Sequence, residues 1–375
     1  MKTSIYLDYA ATTPMDPRVA EEMALFLTAS GHFGNPASNT HEFGRAAREA
    51  VATARQQVAA VIHADPAEII WTSGATEAIN LALKGAAQLY QRNGRHIVTV
   101  QTEHKAVLDT CQELEKNGFR VTYLAPEKNG LLDAEKFRAA LTDETILAAV
   151  MHVNNETGVI QDIEKLANMT HERDILFLTD AAQSNGKLPI DVNTMPVDFI
   201  ALCAHKVYGP KGIGALYVRR KPRVRVAAQI HGGGQEQGMR SGTLATHQIV
   251  GMGLALQIAA EQKDADFKKI HALRTRFLER ISAVHVINGD LKDSYPGILN
   301  LSFQGIPSVE FMKKFPELAV STGSACGSKG SEPSYVLSAM GLPLALTHSA
   351  IRLSFGRFTT TDDIDFATGC INKLK

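Results

Sequence analysis

The sequence predicts an α/β protein: a doubly wound domain with a mostly parallel sheet, joined to a smaller α+β domain. Three observations carry this. Between about residues 69 and 219, short apolar runs alternate with helical patterns, at 68–71, 96–100, 121–124, 146–153, 175–178, 197–202 and 214–218. These runs are continuous rather than alternating, as suits strands buried on both faces. Near Leu244 the periodicity changes, and 246–283 reads as one long helical stretch carrying Ile249, Met252, Leu256 and Ile258.

Each part follows in order. A chain of 375 residues exceeds one minimal core, which favours two domains. The long helical stretch is followed by short strands at 298–302, 318–321 and 350–354, the pattern of a smaller α+β unit to which the N-terminal arm returns. We expect residues 15–257 to form the large domain, and residues 1–14 with 258–375 the small one. In the large domain, ligands should gather at the carboxyl ends of the strands.

Composition narrows the class. Lys plus Arg and Asp plus Glu each number 39, so no field points to nucleic acid or a membrane surface. The basic run from Arg219 to Arg225 reads as a solvated turn. No apolar segment follows Lys2 before Asp8, so no signal peptide is expected, and no run is long enough to span a bilayer. Four cysteines (Cys111, Cys203, Cys326 and Cys370) lie far apart without paired spacing, which argues against a disulfide framework or zinc ribbon and for a reduced, cytoplasmic protein. His104, His152, His205 and His231 show no ligand spacing, so no metal site is predicted.

Four strand ends present polar residues that should converge on one crevice: His104, Asn155, Asp180 with Gln183, and His205 with Lys206. An acid and a lysine at the ends of successive strands are what pyridoxal 5'-phosphate (PLP) chemistry uses. The amine holds the cofactor covalently, and the carboxylate pairs with its ring nitrogen so that the ring draws in electrons. A strand-end acid and a surface lysine are the bland alternative. Ser73-Gly-Ala75-Thr76-Glu77 follows a strand and opens a helix; it suits either a phosphate site or a capping box. The glycine-rich run from His231 to Thr243 could approach a phosphate closely, or form a surface loop. Cys326 stands in a run of small residues, as a mobile, accessible thiol would.

Together these residues resemble a known family. Tyr6-Leu-Asp-Tyr-Ala-Ala-Thr-Thr-Pro14, Phe33-Gly-Asn-Pro-Ala-Ser38, Thr72-Ser-Gly-Ala-Thr-Glu77, Thr102-Glu-His-Lys105, His152-Val-Asn-Asn-Glu156, Asp180-Ala-Ala-Gln183, His205-Lys-Val-Tyr-Gly-Pro-Lys-Gly212, Met239-Arg-Ser-Gly-Thr243 and Gly323-Ser-Ala-Cys326 are similar, in order, to the cysteine desulfurases. The likeness is to the housekeeping iron–sulfur type with the longer sulfur-carrier loop, in the PLP-dependent class V aminotransferase family. It implies PLP-dependent transferase fold type I and a homodimer. Lys206 would hold PLP, Asp180 would meet the pyridinium nitrogen, His104 would stack on the ring, and Gln183 would bond its phenolic oxygen. Ala75, Thr76, His205 and a partner subunit's Thr243 would take the phosphate. Asn155, Asn35 and Arg352 would orient L-cysteine, with Arg352 gripping the carboxylate. Cys326 would accept the sulfur as a persulfide and pass it to a scaffold protein or a transfer-RNA thiolation carrier.

Cys203-Ala204 departs from the serine and glycine usual in the family before His-Lys, so Cys203 is a phosphate contact with a weaker donor. The sequence ends at Lys375, where the housekeeping enzymes carry a longer tail, so the acceptor stays open. A selenocysteine lyase or another PLP-dependent lyase or aminotransferase of the same family is the alternative activity.

Overall fold

The computed structural model describes residues 4–322 and 333–374. The chain opens with β1 (Ile5–Tyr6), then α1 (Pro17–Ala24) and α2 (Glu42–Val61). Seven strands make the main sheet: β2 (Ile69–Thr72), β3 (His96–Val100), β4 (Arg120–Leu124), β5 (Thr145–Ala149), β6 (Leu176–Asp180), β7 (Phe199–Cys203) and β8 (Gly214–Val218), in the order β2-β8-β7-β6-β5-β3-β4. Strands β4, β3, β5, β6 and β7 run parallel. β8 is antiparallel to both β7 and β2, a direction its apolar run cannot reveal.

Burial of both faces explains the continuous apolar runs. Along β7, Phe199 and Ala201 face one apolar layer while Ile200 and Leu202 face the other. The first layer is covered by α3 (Ala75–Tyr90) and α4 (Lys105–Lys116) through Ile79, Leu83, Val107 and Cys111. On the other side lie α2, α5 (Ala134–Ala140), α6 (Ile163–His171) and the first half of α7 (Thr246–Arg280). Past Ala149 the chain keeps its hold on β6: Val150 N donates to Leu178 O at 3.0 Å and His152 N to Asp180 O at 3.0 Å. That pairing delivers Asn155 to the same edge of the sheet as Asp180.

A second core gathers Leu7, Phe277, Leu301, Ile351, Leu353 and Phe355. Its sheet is β12 (Ala350–Ser354), β10 (Ile298–Phe303) and β9 (His285–Ile287), all antiparallel, while β11 (Leu318–Ala319) pairs with β1. Ile5 and Leu7 of the N-terminal arm pack into this core. The 35-residue α7 serves both cores, with Ile249, Met252 and Leu256 in the first and Ile270, Leu273 and Phe277 in the second. Among the described residues no helix is long and apolar enough to cross a membrane.

Candidate active site

The carboxyl ends of β3, β5, β6 and β7 carry the polar residues that sequence placed there. His104 is the N-cap of α4, and its Nδ1 accepts from Ala106 N at 3.1 Å. With Nδ1 so engaged, a neutral ring carries its proton on Nε2. Burial, reinforced by the Lys206 charge and opposed by Asp180, lowers the His104 pKa and keeps the ring neutral. Asp180 ends β6 and is buried; its Oδ1 accepts from Ala182 N at 2.9 Å, and its other oxygen has no hydrogen bond among the described residues.

Lys206 follows β7 in a turn that the N-terminal arm fastens. Thr13 N donates to His205 O at 2.8 Å, and the Thr12 and Thr13 hydroxyls donate to the same oxygen at 3.2 and 3.1 Å. The Lys206 amine itself makes no hydrogen bond or ion pair among the described residues. Because β7 pairs in parallel with β6, Lys206 follows the same edge of the sheet at which Asp180 ends. Gln183 Nε2 donates to Ala10 O at 2.7 Å, tying the arm to the same crevice.

At the start of α3 the two sequence alternatives separate. The N-cap is Gly74, with no side-chain cap, so the Ser73 hydroxyl does not close the helix. Only Glu77 reaches back, accepting from Ser73 N at 2.8 Å. A Cβ added at Gly74 would meet nothing within 4 Å, so open space lies before the helix end. Uncapped amides at a positive dipole end, beside Ala75 and Thr76, are an anion cradle. His205 stands by with its pKa pushed down to about 4, by burial first and by Lys206 next. Cys203 is 1% exposed, and its Sγ faces Ala182 O at 3.8 Å, so its one proton is used inside the fold.

Opposite lies Arg352, on β12 and 3% exposed. Its Nη1 donates to Asn155 O at 2.8 Å and its Nη2 to Asp8 Oδ1 at 2.8 Å. Two buried polar atoms here have no hydrogen-bond partner among the described residues, Arg352 Nε and Asn155 Oδ1. Leaving such groups unpaired costs about 1–3 kcal/mol each, so they mark a place where a ligand completes the bonding. Free groups at three places (a strand-end carboxylate and amine, an uncapped helix end, and an orphaned arginine–asparagine pair) fit PLP and an amino-acid carboxylate.

Not every predicted residue joins them. Asn35 and Thr243 are exposed and line a separate cleft of ≈ 270 Å³ with Arg48, Arg55 and Glu236. Neither is hydrogen-bonded to Asp180, His104 or Lys206; Asn35 Oδ1 accepts from Ala37 N at 2.9 Å. Cys326 lies outside the described residues. Its flanks do reach the site: Ser321 exchanges two backbone hydrogen bonds with Arg352, at 3.1 and 2.7 Å, and the Ser334 hydroxyl donates to Glu156.

Three ionisable groups were missed, buried Glu103 and Glu156 and half-buried Lys187. Glu103 carries a carboxyl that burial raises well above the ordinary range, with no partner for Oε2 among the described residues. Desolvation pushes Glu156 up to about 7 and Lys187 down to about 7. The sequence signal was adjacency, since each sits within four residues of His104, Asn155 or Gln183, and Glu103 and Glu156 fall inside quoted motifs.

Similarity to known proteins identifies the family. The family model described as Aminotransferase class-V matches residues 5–366. A relative named cysteine desulfurase IscS from Klebsiella pneumoniae is 56% identical over 375 residues, covering 100% of this chain and 93% of its own length. Another of that name from Vibrio campbellii is 57% identical over 369 residues, covering 98% and 91%. Among solved structures, a NifS-like protein superposes with a TM-score of 0.92 at 34% identity, covering 99% of each chain. SspA in complex with cysteine gives a TM-score of 0.83 at 39% identity, covering 95% of this chain and 100% of its own. The chain therefore belongs to the class-V aminotransferase family, among its cysteine desulfurases.

Proposed function

We propose that this PLP-dependent enzyme converts L-cysteine to L-alanine and moves the sulfur onto Cys326, through the residues described above. The observation that carries the site assignment is the convergence of Asp180, His104 and Lys206 on one crevice, faced by the unsatisfied Arg352–Asn155 pair. PLP supplies an electron sink that labilises bonds at the substrate carbon it holds.

The protein's own groups do the rest. Arg352 and Asn155 would bind the substrate carboxylate through N–H donors already placed by β12 and the turn after β5, so little ordering remains to be done. Lys206 would anchor the cofactor, and the Asp180 carboxylate would pair with its ring nitrogen. The α3 amides, Thr76, His205 and the partner subunit's Thr243 would take the phosphate, and Gln183 the phenolic oxygen. His104, neutral with its proton on Nε2, and the Lys206 amine would hold and move protons at the reacting carbons. Cys326, as thiolate, attacks the substrate sulfur. An S–S bond forms, the C–S bond breaks, and its electron pair passes to the carbon, which takes a proton to become alanine.

Further parts of the reading rest on coarser support. We take residues 15–257 as the large domain and residues 1–14 with 258–375 as the small one, in line with the two apolar cores. A homodimer accounts for Thr243 and Asn35 lining a cleft that does not include Lys206, and for the exposure of Leu25, Leu27, Phe33 and Phe43. The sulfur acceptor is taken to be an iron–sulfur scaffold or transfer-RNA thiolation carrier protein in the cytoplasm. Cys326→Ala should still load PLP and respond spectrally to L-cysteine while alanine and persulfide formation falls below ~1% of the parent. Normal turnover in that variant would sink the assignment of Cys326.

A further inference from the structure

Lys187 has no part in the roles above, yet it contacts the site. It lies four residues after Gln183 in the turns following β6, and its Nζ donates to Gln183 Oε1 at 3.4 Å. On the other end of the same amide, Nε2 donates to Ala10 O at 2.7 Å. The two ends of a glutamine amide are alike in shape and opposite in chemistry, one accepting and the other donating. With an amine on one side and a carbonyl on the other, a single orientation satisfies both. The flipped amide would set NH₂ against the Lys187 amine and oxygen against the Ala10 carbonyl.

Nothing else claims this amine. Among the described residues Lys187 joins no ion pair, and its other neighbours are the Tyr295 ring at 5.5 Å and a water-sized cavity of ≈ 20 Å³ lined also by Tyr208, Asp266 and Arg357. Burial first, and the Lys206 charge next, bring its pKa down to about 7. Charged or neutral, the amine keeps an N–H for Gln183.

We propose that Lys187 is a positioning residue that locks the Gln183 amide so that its second N–H is presented to the phenolic oxygen of PLP. The proposal rests on the placement of Gln183 in the proposed function. Its consequence is electronic as well as geometric, because a donor held at that oxygen sets the pH at which the bound cofactor changes protonation.

The test is a pH titration of the visible absorption band of the holoenzyme, for the parent, Lys187→Met, Lys187→Gln, Gln183→Ala and the Lys187→Met/Gln183→Ala double variant. Lys187→Met should move the midpoint by ~0.5 pH unit or more, in the direction Gln183→Ala moves it, because each removes the same donor from the cofactor. The double variant should match Gln183→Ala alone. Lys187→Gln, which still donates to Oε1 without charge, should keep the parent midpoint, and it serves if the Met variant fails to fold. An unmoved midpoint in Lys187→Met, a Met-like shift in Lys187→Gln, or an undiminished Lys187→Met shift in the Gln183→Ala background overturns the proposal. An unmoved midpoint in Gln183→Ala removes Gln183 from the cofactor and the proposal with it, while Lys206→Ala still tests the rest of the site.

Discussion

Arg352 has five N–H groups, and the described residues satisfy only part of them, with Asn155 O and Asp8 on the two terminal nitrogens and no partner on Nε. A planar fork fixed this way suits a carboxylate, and a point charge does not. Arg352→Lys should therefore raise KM for L-cysteine ~10-fold or more while cofactor loading, read from absorbance, stays at the parent level. Nearby Glu156 supplies a pH signature of its own. Burial lifts its carboxyl from the usual 4.5 to about 7, so the folded state favours the protonated form. The stability this contributes is fully present below pH ~4.5 and lost as pH rises to ~7, on the order of 3 kcal/mol at most. Denaturant melts at pH 5 and 7.5 should show Glu156→Gln losing less stability than the parent over that interval. Residues of this kind were hard to read beforehand. Asp180, His104 and Lys206 were legible because strand ends mark them, Cys326 because small residues surround it, and Arg352 only through family resemblance. Glu103, Glu156 and Lys187 are set apart by burial, which has no spacing signature.

At the scale of elements, α3 shows what an uncapped helix start is for. Its first amides face open space, and Glu77 turns back to Ser73 N instead of competing for them. A carboxylate placed there should occupy the dipole end that phosphate needs. Thr76→Asp should weaken PLP binding ~10-fold or more, measured by equilibrium titration of the apoenzyme. Most elements were legible as apolar runs or helical periods, β5 and β7 among them. β9 was not, because its three half-buried residues make no pattern, and the direction of β8 was not, because apolar runs read alike both ways. The second core also depends on single contacts. Phe277, fully buried where α7 meets Phe355, should cost about 3–5 kcal/mol on truncation to Ala, seen as a lower unfolding midpoint.

For the whole molecule, the separation of Thr243 from Lys206 predicts shared sites. Co-expressed Lys206→Ala and Thr243→Asp chains, each inactive alone, should regain activity when mixed. One site of each mixed dimer then joins an intact Lys206 to the partner's intact Thr243. Activity in proportion to the mixed species supports the homodimer, and a dead mixture places Thr243 outside the partner's site. Sequence alone could not weigh this, since a glycine-rich run looks the same whether it serves its own crevice or a neighbour's.

Through all of this runs α7, one unbroken helix of 35 residues, which at 1.5 Å per residue is a rod ~52 Å long. It is embedded at one end beneath the sheet that carries Lys206 and at the other among the strands that carry Arg352. A continuous backbone ladder resists bending far better than a linker does, so the spacing between cofactor anchor and carboxylate grip is set as a tie-bar sets the spacing of two walls. On the proposed roles of Lys206 and Arg352, that spacing would sort substrates by length before any chemistry begins, leaving adjustment to side chains and short turns.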